Sequence, residues 1–474
     1  LFYQGKQMIA EKIIAKITRK KMFPRGIHPN DSKAATCERS ITPVPWPAEV
    51  IIPLQQHIGA PATPAVTTRQ DVKKGELIGT ASGFVSAPVH AGVEGKVGPM
   101  TTCLVPTGRR VPAIPIKPQS VPSDDQLQAE LEEYLNPTGE VRPVEEISPE
   151  SIVEAAQNAG LVGMGGATFP THVKLKIGPN KTIDTIIING SECEPFLTAD
   201  DRLMQQASGL IVRGLELAMR TTGAKRGIIA IEDNKANAIR NMRKAVEGKS
   251  NLEVAVCMTK YPMGGERQLL PAVVGRVIPT GGLPLDVGVV VLNVATSISL
   301  AHAVDRNRPV THRVLTVTGA VNKPGNFFVP IGTPISWVIE QAGGLRNDAA
   351  MVLMGGPMMG VSLPDLTIPV IKGTSGITVL SKSQVRTIKQ TACIKCGRCV
   401  ENCPLKLSPT RIAHAVKLGD LDLAESFNLM ACCECGCCTF VCPARIPLVQ
   451  YIKSGKATVL RRRAAAKAAA APKK

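Results

Sequence analysis

The stretch Ala431–Pro443, ACCECGCCTFVCP, sets six cysteines in thirteen residues, a density that no hydrophobic core requires. Its register is legible against an earlier run, Cys393–Pro404, CIKCGRCVENCP. That run spaces Cys393, Cys396, Cys399 and Cys403 by two, two and three residues and follows the last with proline. The same spacing selects Cys432, Cys435, Cys438 and Cys442 before Pro443, and leaves Cys433 and Cys437 as loop residues out of register. Two-residue gaps let three thiolates converge on one cubane while backbone N–H groups of the tight loop point at its sulfides. The proline then ends the loop and sends the fourth thiolate away.

This is the spacing of bacterial two-cluster ferredoxins, in which the fourth cysteine of each run ligates the other cluster. It assigns one [4Fe–4S] cluster to Cys393, Cys396, Cys399 and Cys442, and the second to Cys432, Cys435, Cys438 and Cys403. Zinc, which takes four ligands in two pairs, does not account for the doubled run. The intervening LKLSPTRIAHAVKLGDLDLAESFNLMA carries two short helical patterns split by KLGD, which predicts an α-helical ferredoxin insert. Ten of the fourteen cysteines lie between Cys393 and Cys442, a distribution that excludes a disulfide scaffold and implies a reducing compartment.

Working outward, 474 residues exceed one ordinary core and predict several domains. With 42 glycines and 37 prolines, turns and β-rich modules are favoured over a helical bundle. The net charge of +18 favours anionic partners: nucleic acid, a lipid headgroup surface or an acidic protein. Nucleic acid is set aside because no basic helix or aromatic platform interleaves with the lysines and arginines. No apolar run approaches the roughly 18–20 residues of a membrane span. The opening LFYQG reads as a protease-site remnant, and residues 9–22, IAEKIIAKITRKKM, as a solvated amphipathic helix with a basic face.

From Val50 to Val97, short Val/Ile runs punctuated by Gly, Pro and Asp predict a β barrel or sandwich; His57 and His90 in it read as structural hydrogen-bonding residues. Residues 115–150 read as a linker or strap. Residues 151–300 alternate helical patterns with continuous β-branched runs, TIDTIIING and RGIIAIED, the mark of an α/β layer domain. Residues 313–345 give strand, NKPG turn, strand and capped helix, a small β-grasp-like unit. The end, RRRAAAKAAAAPKK, reads as a marginal helix or a disordered basic tail.

Two clusters in series form a wire for single electrons, and the α/β domain is where a source is expected. Its GLVGMGGATFPTHVKL, Gly160–Leu175, brings Gly163, Gly165 and Gly166 together, so that backbone can approach a flat or phosphorylated ligand, with Lys174 set to meet a phosphate; read alone, such a loop is equally a plain turn. NGSECEPFLTADDRL then places Glu192 and Glu194 one residue apart, either as ligands to ribose or nicotinamide or as a solvated loop. YPMGGERQLL and VVLNVATS add a Gly-Gly turn and the Asn293/Thr296 pair after a strand.

Those motifs together resemble the flavin- and NADH-binding subunit of respiratory complex I. Followed by a β-grasp unit of SLBB type and a two-cluster ferredoxin, the chain resembles the RnfC (or RsxC) component of the Rnf electron-transport complex, over roughly residues 24–455 and in the same domain order. GIHPNDSKAAT and VIIPLQQHIGAPATPAV fit that family's N-terminal module. The resemblance implies a barrel-sandwich hybrid module at 24–114, the linker at 115–150, an α/β FMN/NADH-binding domain at 151–305, an SLBB-like region at 306–385, the ferredoxin domain at 386–456 and a basic tail at 457–474.

It further implies a peripheral subunit on the cytoplasmic side of the inner membrane, without a transmembrane segment, that binds FMN and exchanges electrons with NAD(H) as substrate. Its partners would be the other subunits of a membrane-embedded, ion-translocating complex, including an iron–sulfur subunit, the membrane surface, and ferredoxin or flavodoxin indirectly. By the same resemblance Gly163, Gly165, Gly166, Phe169 and Lys174 frame the nucleotide. Asn189, Glu192, Gly265, Glu266, Asn293 and Thr296 contact the flavin, and Glu194 the nicotinamide end. Four positions depart from the complex I pattern: Met164 for arginine, Arg267 for glutamate, Leu292 for asparagine and Ala295 for glutamate. Hydride transfer needs no acid–base residue, and none is assigned. Two other readings use the same parts: a relay and docking subunit without catalysis, and the arm of a quinone- or heterodisulfide-type reductase.

Overall fold

The computed structural model describes residues 11, 13, 15–106, 108–385 and 389–470. It separates into two compact units. The larger comprises Asn30–Cys257 and Pro284–Val385; the smaller comprises residues up to Pro29, Met258–Leu283 and the chain from Arg386 onward.

Three sheet modules make the larger unit. In the first, strands Val50–Pro53, Arg110–Pro118, Gly95–Val97 and Asp71–Val72 form a sheet with Thr101–Leu104 paired to Arg110–Pro118, beside a three-stranded sheet of Thr63–Pro64, Leu77–Thr80 and Val89–His90. These are the short, punctuated strands that the sequence predicts, and the inward residues Ile52, Ile78, Val89, Ile114 and Ile116 are essentially inaccessible. His57 is structural as expected: its Nε2 accepts from Ala87 N–H at 3.0 Å, and burial with the Lys372 charge pushes its pKa down to about 4.

The α/β module is a fully parallel sheet in the order Leu252–Cys257, Arg226–Glu232, Thr185–Gly190, Val289–Asn293. Its strands are near-continuous Ile/Val runs because helices bury both faces. The helices Ser208–Thr222 and Val294–Arg306 pack where Gly214 meets Ser297: a Cβ on Gly214 would lie 2.0 Å from the Ser297 carbonyl oxygen.

The third module's sheet orders Ile41–Pro43, Gly325–Pro330, His312–Gly319, Gly376–Ser381, Ala349–Met354 and Val361–Ser362. Its edge strand Ile41–Pro43 lies in the stretch assigned to the barrel module, yet it pairs in parallel with Gly325–Pro330. Long-range pairing of a three-residue strand leaves no local pattern to read. The stretch 115–150, read as a linker, also carries core: Asp124–Leu135 is a helix with a Ser123/Gln126 capping box that buries Leu127, Leu131, Tyr134 and Leu135. Tyr134 stacks on His302 and lies against Phe328, both at 4.8 Å between centroids.

In the smaller unit the cysteine loops are carried by helices Arg398–Glu401, Pro409–Lys417, Leu421–Ser426, Cys437–Phe440 and Leu448–Ala470. The α-helical insert is present, and the last helix runs through most of the stretch read as a basic tail; residues 471–474 lie outside the described residues, as do 9, 10, 12 and 14 of the predicted N-terminal helix. Met258–Leu283, in sequence part of the α/β region, belongs to this unit.

Because Gly214 sits at a helix crossing, Gly214→Ala is expected to destabilise the larger unit by about 1–3 kcal/mol in denaturant unfolding. Gly209→Ala, on the same helix with nothing within 4 Å of its Cβ, should instead stabilise by up to about 1 kcal/mol. Equal effects of the two substitutions would refute the packing argument.

Candidate cofactor sites

The parallel sheet reverses its winding once. From Thr185–Gly190 the chain proceeds outward through Arg226–Glu232 to Leu252–Cys257, then returns to place Val289–Asn293 on the other side of Thr185–Gly190. The crossovers leaving these two strands therefore diverge, and a crevice opens beyond their carboxyl ends, the place where ligands bind in open α/β sheets. The register puts Asn189 beside Asn293 at that point. The two asparagines assigned to the flavin are thus neighbours at the switch point.

Asn293 also caps the helix Val294–Arg306, its Oδ1 accepting from Ala295 N–H at 2.9 Å, while its Nδ2 donates to Asp200 Oδ2 at 2.7 Å. The Gly-rich loop reaches the same place: a Cβ on Gly165 would lie 3.3 Å from that of Asn293. Gly166 has φ +108° and open space around it, a conformation that L side chains rarely adopt. Gly163 closes the loop, its N–H donating to Phe169 O at 2.8 Å and its carbonyl accepting from Thr168 N–H at 3.0 Å. Gly165 and Gly166 are exposed and Phe169 is half-buried. Thr296, by contrast, is fully buried; its Oγ1 accepts from Met164 N–H at 2.9 Å, so it supports the loop from behind. Lys174 donates to Val291 O at 3.3 Å.

The acidic loop is held by a cation that the motifs did not single out. Lys33, buried to 6 % exposure, donates from Nζ to the carbonyl oxygens of Glu192 at 2.9 Å, Glu194 at 3.0 Å and Leu197. It holds a loop bent through positive φ at Glu192 and Phe196. The Glu192 carboxylate accepts from Asp200 N–H at 2.7 Å and Asp201 N–H at 3.1 Å, capping the helix Ala199–Gln206. Burial raises its pKa to about 7, against the Lys33 charge and with the repulsion of Asp200. Glu194 is committed elsewhere: its oxygens accept from Met358 N–H at 3.0 Å and Met359 N–H at 2.8 Å.

The departures from the complex I pattern are absorbed by packing. Met164, Leu292 and Ala295 are all buried, and Arg267 donates to the carbonyls of Ile278, Pro279 and Gly282 within the smaller unit. Gly265 and Glu266 open a helix of that same unit. In the larger unit, an open glycine face, paired asparagines and the buried, unpartnered Ser191 Oγ fit a flat ligand with polar edges, as FMN is.

In the smaller unit the two cysteine runs are a structural duplicate. Lys395 and Glu434 have φ 55° and 59°, Gly397 and Gly436 75° and 80°, and Lys406 and Arg445 59° and 56°. Lys395 N–H donates to Cys393 Sγ at 3.4 Å and Glu434 N–H to Cys432 Sγ at 3.3 Å. Hydrogen bonds of this kind to cluster sulfur tune reduction potential. Burial pushes Cys432 up to about 11 and Cys438 up to about 12, so iron must displace protons to bind. Cys433 is half-buried and Cys437 buried. Among the described residues no three ligand-type side chains are gathered around a single-ion site; a cubane holds its thiolates at separate corners, wider than the shell of one ion. The loops are tied down by Tyr261 Oη to Cys435 O at 2.8 Å, Arg25 to Val400 O at 3.0 Å and Lys456 to Cys432 O at 2.8 Å.

Residues 21–120 match the RnfC barrel sandwich hybrid domain, 156–302 the Nuo51 FMN-binding domain, 314–362 the SLBB domain and 392–447 a 4Fe-4S dicluster domain. The chain is 43% identical, over 93% of its length and 98% of the relative's, to the RnfC-type component of the Na(+)-translocating ferredoxin:NAD(+) oxidoreductase complex of Acetobacterium woodii. It is 42% identical to the proton-translocating counterpart of Clostridium ljungdahlii, covering 91% of this chain and 93% of that one. It is also 42% identical to the corresponding component of the ion-translocating oxidoreductase complex of Rhodobacter capsulatus, covering 91% and 82%.

Crossed ligation makes a specific prediction. After anaerobic reconstitution, Cys403→Ser should lose the cluster of Cys432, Cys435 and Cys438 and keep the other, halving iron. Cys433→Ser should retain full iron, and an unchanged iron content in Cys403→Ser would contradict the assignment.

Proposed function

Because the chain belongs to the RnfC family, a component of ion-translocating ferredoxin:NAD oxidoreductase complexes, we propose that it is the NADH-facing subunit of such a complex, turning two-electron hydride chemistry into single-electron transfer. The observation that carries this reading is the Asn189–Asn293 pair at the switch point, with the open Gly165–Gly166 face beside it. Bound FMN would supply the exchange between a hydride and single electrons, and the clusters a one-electron path onward.

The chain's own residues do the positioning. Asn189 and Asn293 stand side by side at the crevice, the Asn293 amide fixed by Ala295 N–H and Asp200; Gly165 and Gly166 let backbone N–H groups approach a ligand that a Cβ would hold off. Lys33 and Glu192 keep the acidic loop against the end of the sheet. The duplicated loops hold each cluster with N–H groups aimed at sulfur. None of the described helices is long and apolar enough to cross a membrane, and the basic excess suits an anionic headgroup surface or an acidic electron carrier. We place the chain at the cytoplasmic face of the inner membrane, against the membrane-embedded subunits and an iron–sulfur subunit, with ferredoxin or flavodoxin reached through them.

One observation favours a relay without its own NADH chemistry: Glu194, assigned to the nicotinamide end, already accepts two backbone N–H groups. Anaerobic titration of the FMN- and iron-loaded protein with NADH separates the two. The proposal predicts bleaching of the flavin absorbance followed by electron paramagnetic resonance signals of reduced clusters. A flavin that dithionite bleaches and NADH does not would favour the relay.

A further inference from the structure

Every module of the larger unit reaches the Gly-rich loop, and the contacts come from an unusual pair of cations. Lys372 is 1 % exposed and donates from Nζ to Gly160 O at 2.6 Å and to Pro88 O of the barrel at 2.8 Å. Arg313, 2 % exposed, donates from Nη2 to Met164 O at 3.0 Å and from Nε to Thr374 O at 3.1 Å. Among the described residues no carboxylate lies within ion-pair distance of either, and Arg313 Nη1 has no hydrogen-bond partner.

Burying a cation is costly, and burial holds Lys372 down to about 7; Arg313 has only the more distant attraction of the buried Asp200 to offset that cost. What both cations obtain in return is a grip on carbonyls of one loop. Between them stands Gly373, where a Cβ would meet Thr168 Cγ2 at 2.4 Å and lie 3.5 Å from Gly166 O. The barrel completes the enclosure: Ile58 N–H donates to Thr168 O at 3.2 Å, and Gln56 Oε1 accepts from Lys372 N–H at 3.0 Å.

We propose that Arg313 and the segment Lys372–Thr374 are a positioning clamp for the loop Gly160–Thr168, so that flavin affinity is set from the β-grasp and barrel modules as well as from the α/β domain. The proposal rests on the reading that this loop holds the flavin. Neither cation need touch the flavin. Each fixes a carbonyl whose placement decides where the open face of Gly165 and Gly166 lies. Thr374 links the two halves, because its carbonyl accepts from Arg313 while its neighbours bear on Lys372's partner Gly160 and on Thr168.

Gly373 supplies a test that leaves both charges in place. In the full-length protein, Gly373→Ala should push Thr168 and the loop with it. Thr168→Ser removes the clashing Cγ2, so the double variant Gly373→Ala/Thr168→Ser should recover. Two readouts are followed. Hydrogen exchange of the flavin-free protein should accelerate at the Gly163, Met164 and Thr168 amides in Gly373→Ala and return in the double variant. FMN binding, read by quenching of flavin fluorescence, should weaken at least tenfold in Gly373→Ala and be restored within threefold in the double variant.

Arg313→Met and Arg313→Lys give a second arm, with FMN binding weakened in both, because one ammonium cannot span Met164 O and Thr374 O as the guanidinium does. Loop exchange that responds without any change in FMN affinity would overturn the proposal, as would failure of Thr168→Ser to rescue. A wild-type chain that binds no FMN would overturn the reading of the loop itself, whatever its exchange shows.

Discussion

The site depends on one topological constraint: parallel strands must be joined by right-handed crossovers. A sheet that grows first to one side of Thr185–Gly190 and then to the other cannot cover the carboxyl ends of its two central strands. The resulting crevice receives Asn189 and Asn293 side by side in register. The helix that leaves Asn293 begins there because asparagine caps it, and the cap ties the crevice to Asp200 and so to the helix capped by Glu192. Moving any one of these elements by a residue would take an asparagine off the end of its strand.

Charge is used in the larger unit to hold loops. Lys33, Arg313 and Lys372 are nearly inaccessible, and each donates to backbone carbonyls of an irregular segment. A loop at the end of a sheet has carbonyls that no ladder can satisfy; a buried lysine or arginine satisfies two or three of them at once and fixes their geometry. The smaller unit solves a related problem by repetition. Two loops with matching positive-φ positions aim N–H groups at Cys393 and Cys432, and the prolines after Cys403 and Cys442 turn each chain away after its fourth cysteine.

Much of this was legible in the sequence, and the division follows the range of the interaction. The cysteine register, the β-branched strands and the α-helical insert are local, written in spacings of two to four residues. Also local are the Gly-rich loop and the asparagine at the end of each central strand. Ile41–Pro43 joining the β-grasp sheet, the helix Asp124–Leu135 within the supposed linker, and the departure of Met258–Leu283 to the smaller unit depend on contacts between segments distant in sequence. Lys33 lay in a stretch noted only for family resemblance. Arg313 offered one clue, a charge at the head of the apolar strand His312–Gly319, a position where arginine is expected only if something buried needs it. Thr296 and Glu194, assigned to ligand from their motifs, accept from the backbone N–H groups of Met164, Met358 and Met359, contacts that spacing alone does not show.

The central claim is that the crevice between Thr185–Gly190 and Val289–Asn293 holds the flavin. Hydrogen exchange of the anaerobic full-length protein, compared with and without FMN, tests it most directly. The account predicts protection centred on the amides of 163–168, 190–192 and 295–296. Protection confined to the barrel or to the outer strand Leu252–Cys257, with those amides unchanged, would contradict it.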